Sequence, residues 1–397
     1  MKLLLGGSPC THWSIAKSRN RETQPEGLGW ELFRNYLIAK ERYKPQFFLY
    51  ENNKSIASAI QTQITRELGV APILINSALV SAQNRQRLYW TNIPGVEQPQ
   101  DRGLVLMDVL DSGIALRKKS YTLKANYAKA STTNALDGGH FPAPMAIEPV
   151  NKAAEIHIRR LGGFYGQCSR WGIYDVAGKA PTLTASAGMG GGHVPMYPIR
   201  MDGITGDGGT RTQIDPYVIP ASTTGVKIYP VYEVKGNHIT MRGKQYPIKL
   251  SDGFYMIRKL TVTECKRLQT VPEKYIFPVS DSQAYKMLGN GWTVDVIAHI
   301  LHYAPGISNE PLEVLSMYDG MSCGHLALDK LGAHITLYCA TEIDKFAIKT
   351  TQTNFPDTVQ LGDAFQVRKA EWWSFLDHRA KNQHIQPTGT MLMAGVP

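Results

Sequence analysis

The sequence is poor in cysteine: Cys10, Cys168, Cys265, Cys323 and Cys339 are all it has in 397 residues, and no two stand as Cys-x-x-Cys. An odd number scattered along a long chain excludes a disulfide framework and offers no zinc-ligand spacing. The composition therefore predicts a reducing cytoplasm and no metal. Long apolar runs are also missing, with nothing near the roughly 18 residues of a membrane span. Leu3-Leu4-Leu5 is followed at once by glycine and proline, too short a stretch for a signal peptide. Acidic residues are outnumbered, 33 against 43 Lys+Arg, for a net charge of +10. That balance fits a polyanionic partner and says nothing about fold. A hydrophobic content of 43% supports a large core, better divided over two domains than one.

What is present is organised in blocks. Residues 1–94 alternate short apolar strands (Lys2–Leu5, Phe47–Tyr50, Ala71–Asn76) with helical patterns (Trp30–Glu41, Ile56–Leu68). That alternation predicts a mostly parallel, doubly wound α/β sheet. Residues 95–257 are rich in glycine, threonine, proline and tyrosine and read as a smaller, irregular, β-rich domain. Lys119–Ala125 and Lys179–Ala185 form a faint internal repeat, each followed by Gly-Gly-His-x-Pro. The α/β character returns in 258–302 and, past a linker at 303–312, in 313–397. Residues 95–257 carry 18 Lys+Arg and 13 Asp+Glu, so the basic excess is spread along the chain and not concentrated there.

Several short motifs can carry chemistry. Glu313–Gly324 reads as strand, glycine turn and helix start, with Glu342 ending the next strand. In doubly wound folds such a carboxylate lies over a ribose, although the full Gly-x-Gly-x-x-Gly of a dinucleotide site is lacking. Pro9-Cys10 follows the first strand in a stiff loop, where a thiolate can act as nucleophile; a buried, inert cysteine is the alternative. Glu51 ends the neighbouring strand, as a general acid or as a carboxylate at a helix start. Arg85 and Arg87 stand two apart and would face one side of an extended segment, suited to a phosphate or base carbonyl, or merely to solvent.

Taken together these motifs resemble the DNA cytosine-5 methyltransferases. Pro9-Cys10, Glu51-Asn52 and Gln83-x-Arg85-x-Arg87 are similar to the family's catalytic motifs. Arg258–Gln269 resembles the segment that organises the recognition domain, and Gly289-Asn290-Gly-Trp-Thr-Val294 the closing cofactor motif. Tyr318-Asp319-Gly320-x-x-x-Gly324, Glu342 and Gly362-Asp363 resemble the cofactor motifs that normally open the chain. Their position here makes the order a circular permutation. The closing residues Met391–Pro397 echo Lys2–Pro9, as a remnant of tandem duplication or an artefact of rearrangement would. Three positions depart from the family pattern: Asn53 where Glu-Asn-Val is usual, Thr11-His12-Trp13 where Gln-x-Phe is common, and Ile343 where many members stack a tryptophan on adenine.

The resemblance implies a Rossmann-like S-adenosylmethionine-dependent fold and a target-recognition domain over 95–257. It implies a monomer, bacterial or phage, of restriction-modification type, acting on double-stranded DNA and using no membrane. Cys10 would attack carbon 6 of a flipped-out cytosine, with Glu51, Arg85 and Arg87 assisting. Tyr318, Asp319, Gly320, Gly324, Glu342, Ile343, Asp363, Asn290, Val294 and Pro9 would form the cofactor site. Ser14, Thr182 and Leu183 would touch DNA, and His12–Gly29, with Lys17, Arg19 and Arg21, would cover it as a lid. Three rivals remain at this point: an RNA cytosine-5 methyltransferase of the same fold, a binding protein with a decayed site, and a nicotinamide-dependent oxidoreductase.

Overall fold

Leu3, Leu4 and Leu5 are fully buried, as in a strand covered on both faces. In a computed structural model of the protein they form β1 (Lys2–Gly6), at the centre of a seven-stranded sheet. The structure describes residues 1–14, 21–115, 117–130, 143–150, 160–163, 172–174, 231–241 and 244–381. The elements after β1 are α1 (Gly27–Tyr43), β2 (Phe47–Asn53), α2 (Ser58–Leu68), β3 (Ile73–Asn76) and β4 (Gln86–Thr91). α2 buries Ile60, Ile64 and Leu68, one face at four-residue spacing. α1 ends on Lys44 and α2 on Gly69, both in the left-handed region that stops a helix.

Two compact units emerge, one of residues 1–146 and 259–397, the other of 147–258. The first continues with α3 (Val262–Leu268), α4 (Asp281–Asn290), α5 (Val294–His302), β12 (Leu312–Met317), α6 (Cys323–Lys330), β13 (Ile335–Thr341), α7 (Lys345–Asn354), β14 (Val359–Gln360) and α8 (Ala370–Lys381). Thr261 and Glu264 close a reciprocal capping box at the start of α3. The sheet runs β14-β13-β12-β1-β2-β4-β3. β1 is parallel to β12 and to β2, with Leu4 beside Leu315 and Phe48. β4 is antiparallel to both β2 and β3. The mostly parallel sheet is thus as expected, and the carboxyl ends of β1, β2, β12 and β13 share one edge. Leu4, Tyr36, Tyr50, Trp90, Leu315 and Trp372 belong to a single aromatic-rich core; each such buried side chain contributes about 1.5–3 kcal/mol.

The second unit holds β-structure, as its composition predicts. β5 (Met145–Val150), β8 (Val231–Lys235), β9 (His238–Met241), β10 (Lys244–Pro247) and β11 (Gly253–Lys259) form a sheet in the order β10-β9-β8-β11-β5. β6 (Arg160–Gly163) and β7 (Gly172–Tyr174) pair antiparallel. A buried ion pair joins Arg258 Nε to Glu148 Oε1 at 2.6 Å. This unit begins at 147, not 95. The reason is that residues 102–127 hydrogen-bond within the first unit: Arg102 N to Leu79 O, Ser120 N to Ala82 O, Asn84 N to Ser120 O, and Leu123 N to the Gln83 side chain. Lys17, Arg19, Gly138–Pro142, Lys179–Ala185 with Thr182 and Leu183, Gly191–Pro195 and Met391–Pro397 lie outside the described residues.

Candidate active site

The site grows from the β1 end. Gly6 lies level with Tyr50 in the parallel pairing of β1 and β2, so the next residue, Gly7, meets Glu51. A Cβ on Gly7 would stand 3.0 Å from Glu51 Oε2 and 3.1 Å from its carbonyl oxygen, so a side chain here would press Glu51 out of place by a few tenths of an ångström. Ser8 is buried and shares a 2.6 Å hydrogen bond with the Tyr50 hydroxyl. Burial pushes that phenol far above its ordinary range, keeping it neutral. Asn52 donates to Ser8 O and to the Tyr50 hydroxyl, both at 3.4 Å. Pro9 is exposed, and Cys10 opens a 3-10 turn, Cys10–His12. The Cys10 side chain itself lies outside what the structure describes.

Glu51 is held from two sides. Arg87 Nε lies 2.9 Å from Oε1, and Trp292 Nε1 donates to Oε2 at 2.9 Å. The Glu51 side chain is 12% exposed, so a partly dehydrated carboxylate, held in a fixed orientation, lies against Gly7 at the start of the Pro9-Cys10 loop. Arg85 does something else. Its guanidinium is buried and donates to Leu123 O (3.1 Å), Gly289 O (3.2 Å) and Gly291 O (2.9 Å). It therefore fixes the backbone around Trp292 rather than presenting a charge to solvent or substrate. Gln83, likewise buried, donates to Leu268 O and accepts from Leu123 N.

On the other side of β1 lies the glycine turn. Tyr318 and Ser322 adopt left-handed φ of 61° and 58° on either side of Gly320, itself at 58°. For a non-glycine residue that conformation costs about 1–2 kcal/mol, a strain commonly found at ligand sites. Nothing lies within 4 Å of where a Gly320 Cβ would stand. Glu342 Oε2 accepts from Gly320 N, while Oε1 accepts from Ile343 N and Asp344 N, all at 2.8 Å. Asp319 is half-buried beneath the turn, bonded to Tyr338 Oη at 2.8 Å and to the Ser322 hydroxyl. Burial raises its pKa and the Glu342 charge adds, against hydrogen bonds from Ser316, Ser322 and Tyr338. Ile343 is 73% exposed. Asp363 is exposed and accepts from Phe365 N, Asn290 is exposed at the end of α4, and Val294 is fully buried. Ser14 is half-buried.

Trp292 joins the two halves. While its indole N–H holds Glu51, its ring lies 3.7 Å from where a Gly324 Cβ would be, and Gly291 stands against Cys323 and Met321. The structure thus brings Glu51, Arg85, Arg87, the Pro9-Cys10 backbone, the closing motif and the helix after the glycine turn to one sheet edge. Sequence reasoning missed Ser8, Tyr50, Asn52 and Trp292 as members of the site. Asn52 and Trp292 lay inside quoted motifs and were open to notice; Tyr50 reads only as an apolar strand residue.

The sequence model of the family described as C-5 cytosine-specific DNA methylase matches residues 1–102 and 200–304, just over half of the chain. The chain belongs to this family. As a DNA cytosine-5 methyltransferase it has relatives of restriction-modification type. It is 55% identical over 298 residues to type II methyltransferase M.SsoII of Shigella sonnei, covering 75% of this chain and 62% of that protein. It is 51% identical over 315 residues to type II methyltransferase M.HpaII of Haemophilus parainfluenzae, covering 74% and 69%. With orphan methyltransferase M.SPRI of Bacillus phage SPR the identity is 22% over 369 residues, covering 75% and 81%. Among solved structures, Entamoeba histolytica methyltransferase EhMeth superposes with a TM-score of 0.36 at 12% identity over 76% of each chain, a likeness too distant to bear on the site. Among the described residues no helix is long and apolar enough to cross a membrane, and no group of three or more His, Cys, Asp or Glu could hold a metal ion.

Proposed function

We propose that this methyltransferase transfers a methyl group from S-adenosylmethionine to carbon 5 of a cytosine flipped out of double-stranded DNA, through a covalent bond from Cys10 to carbon 6. The observation that carries the reading is the Glu51 carboxylate, clamped between Arg87 and Trp292 beside the Pro9-Cys10 loop. Carbon 5 is a weak nucleophile. Addition of the Cys10 thiolate at carbon 6, with a proton held by Glu51 at ring nitrogen 3, turns the ring into an enamine that is nucleophilic at carbon 5. After methylation, loss of the carbon-5 proton and expulsion of the Cys10 thiolate restore the aromatic base. Arg87 orients Glu51, and Arg85 orients Trp292 through the Gly291 carbonyl.

The residues of the glycine turn fit the methyl donor. Gly320 leaves open space toward a ligand, and Ile343 offers an exposed apolar face to an adenine. Glu342 uses three of about four carboxylate lone-pair sites on amides and keeps capacity for a ribose hydroxyl. Asp363 would take the adenine amine, with Tyr318, Asp319, Gly324, Asn290, Val294 and Pro9 shaping the rest. Bound there, S-adenosylmethionine supplies an electrophilic methyl on a sulfonium. We further read the chain as circularly permuted. The family match stops at 304, yet β12, β13 and β14 complete the sheet beside β1. The second unit would read DNA sequence, and Ser14, Thr182 and Leu183 remain candidates for DNA contact.

The test is a covalent trap: 5-fluorocytosine in DNA should hold the wild-type chain and not Cys10→Ser, and Glu51→Gln should trap far more slowly. Trapping by Cys10→Ser at the wild-type rate would overturn the mechanism. Bisulfite sequencing of treated DNA would give the target.

A further inference from the structure

Two glycines in the first turn of α1 have no room for a side chain, and the same carboxylate fills the space at both. A Cβ on Gly27 would stand 2.8 Å from Glu22 Oε1; one on Gly29 would stand 2.5 Å from Glu22 Oε2, 2.5 Å from Trp13 Nε1 and 2.9 Å from His12 Cβ. The Glu22 carboxylate is the hub of a knot. It accepts from Trp13 Nε1 at 3.1 Å and from the Gly29 amide at 3.1 Å, and pairs with His12 Nδ1 at 3.1 Å. Its own amide donates to His12 O at 3.0 Å. The neighbouring Arg21 donates to Trp13 O at 2.9 Å and to Ser55 O. Ser55 in turn is tied to Asn53 Oδ1 by its amide and hydroxyl.

The knot therefore grips the turn that begins at Cys10 and links it to α1 and to the end of the strand that carries Glu51. Trp13 is fully buried in the main core, so the grip is anchored and not a surface contact. Trp13 and Asn53, two of the positions at which this chain departs from the Gln-x-Phe and Glu-Asn-Val patterns, both take part in the knot.

We propose that Glu22, with Arg21, is a positioning residue: it sets the Cys10 backbone relative to Glu51 for attack on carbon 6, without touching substrate. This rests on the Cys10 mechanism above. Displacing a nucleophile by about 1 Å can cost on the order of 100-fold in rate, so Glu22→Ala should lower kcat by roughly 10- to 100-fold while KM for DNA stays within about threefold. Trapping by 5-fluorocytosine DNA should slow in parallel with kcat. Glu22→Gln keeps one carbonyl oxygen for Trp13 or Gly29 and should recover part of the rate. Gly29→Ala, which wedges the knot from the other side, should reproduce the kcat loss.

All variants are assayed in the full chain, with urea unfolding midpoints measured alongside. Should Glu22→Ala fail to fold, the isosteric Glu22→Gln decides. A folded Glu22→Ala, or in its absence Glu22→Gln, with unchanged kcat and trapping rate would overturn the proposal. So would a loss confined to KM, or one explained by an unfolded fraction. Cys10→Ser, run in the same trap, separates the two claims: if it still traps, the mechanism fails; if it does not, only the role of Glu22 is at stake.

Discussion

Arg85 and Arg87 look interchangeable in sequence, and the structure predicts opposite consequences of removing them. Arg85 donates to three carbonyls, the buried ones of Leu123 and Gly289 and the part-buried one of Gly291. Stranding a buried acceptor costs about 1–3 kcal/mol; at about 2 kcal/mol each, the three together come to about 6 kcal/mol. Relief of burying the guanidinium, and water entering the space, reduce the net for Arg85→Ala to roughly 3–5 kcal/mol. Arg85→Lys, which replaces the planar fork by a point charge, should lose roughly 1–2 kcal/mol. Arg87 is bonded to Glu51 at the edge of the site, so Arg87→Gln should cost less than about 1.5 kcal/mol in stability yet lower kcat by about 10-fold or more. Urea unfolding of the four proteins, followed by fluorescence, gives the stabilities; a tritiated-methyl transfer assay gives kcat. If Arg85→Ala proved within about 1 kcal/mol of wild type, or Arg87→Gln were the less stable of the two, the assignment of scaffold and site roles would be wrong.

Three further outcomes follow from the same geometry. Trp292→Phe keeps the ring against α6 and removes only the indole donor to Glu51, so methyl transfer should fall with a stability loss of about 1 kcal/mol; equal kcat for both would remove Trp292 from the site. Burial holds the Asp319 carboxyl above its ordinary pKa of 3.8. The folded state therefore binds that proton more tightly than the unfolded chain. Its favourable contribution is complete below the ordinary carboxylate range and is lost as pH rises through the raised value. Asp319→Asn should flatten the fall in unfolding free energy from acid toward neutral pH, and an unchanged slope would contradict the burial argument. Finally, burial pushes the Cys323 thiol up to about 12, and Cys265 is raised by burial as well. Both should resist iodoacetamide at neutral pH until the protein unfolds, as peptide mapping of labelled sites would reveal.

The sheet was legible because its strands are written in burial. Leu3-Leu4-Leu5, Phe47–Tyr50 and Glu313–Tyr318 are short apolar runs that suit a two-sided parallel sheet, and α2 between them keeps a four-residue stripe. The strand, glycine turn and helix start over Glu313–Gly324, with Glu342 ending the next strand, were legible through local chemistry that needs no long-range information. What failed to show were contacts between residues far apart in the chain. Nothing near Arg85 tells that its partners are carbonyls at 123, 289 and 291. Glu22 sits in a polar stretch that reads as solvated, and only the folded packing of Trp13 and Gly29 around it gives it a task. The boundary expected at 95 moved to 147 for the same reason. The glycine- and threonine-rich composition of 95–257 taken as a whole suggests one independent module, whereas backbone groups of its first part, at Arg102 and Ser120, pair with the loop at 79–84.

The pairing of β1 with β12 has a consequence for how the molecule comes into being. The Met1 ammonium donates to Pro311 O across 310 residues, and Glu313 N reaches back to Met1 O. At about 5–20 residues per second, the ribosome needs roughly 15 to 60 seconds to deliver β12 after β1 has emerged. Throughout that interval a strand with three successive leucines waits with one edge unsatisfied, an invitation to the wrong neighbour. Until β12 arrives, only β2 and α1 are on hand to shelter β1.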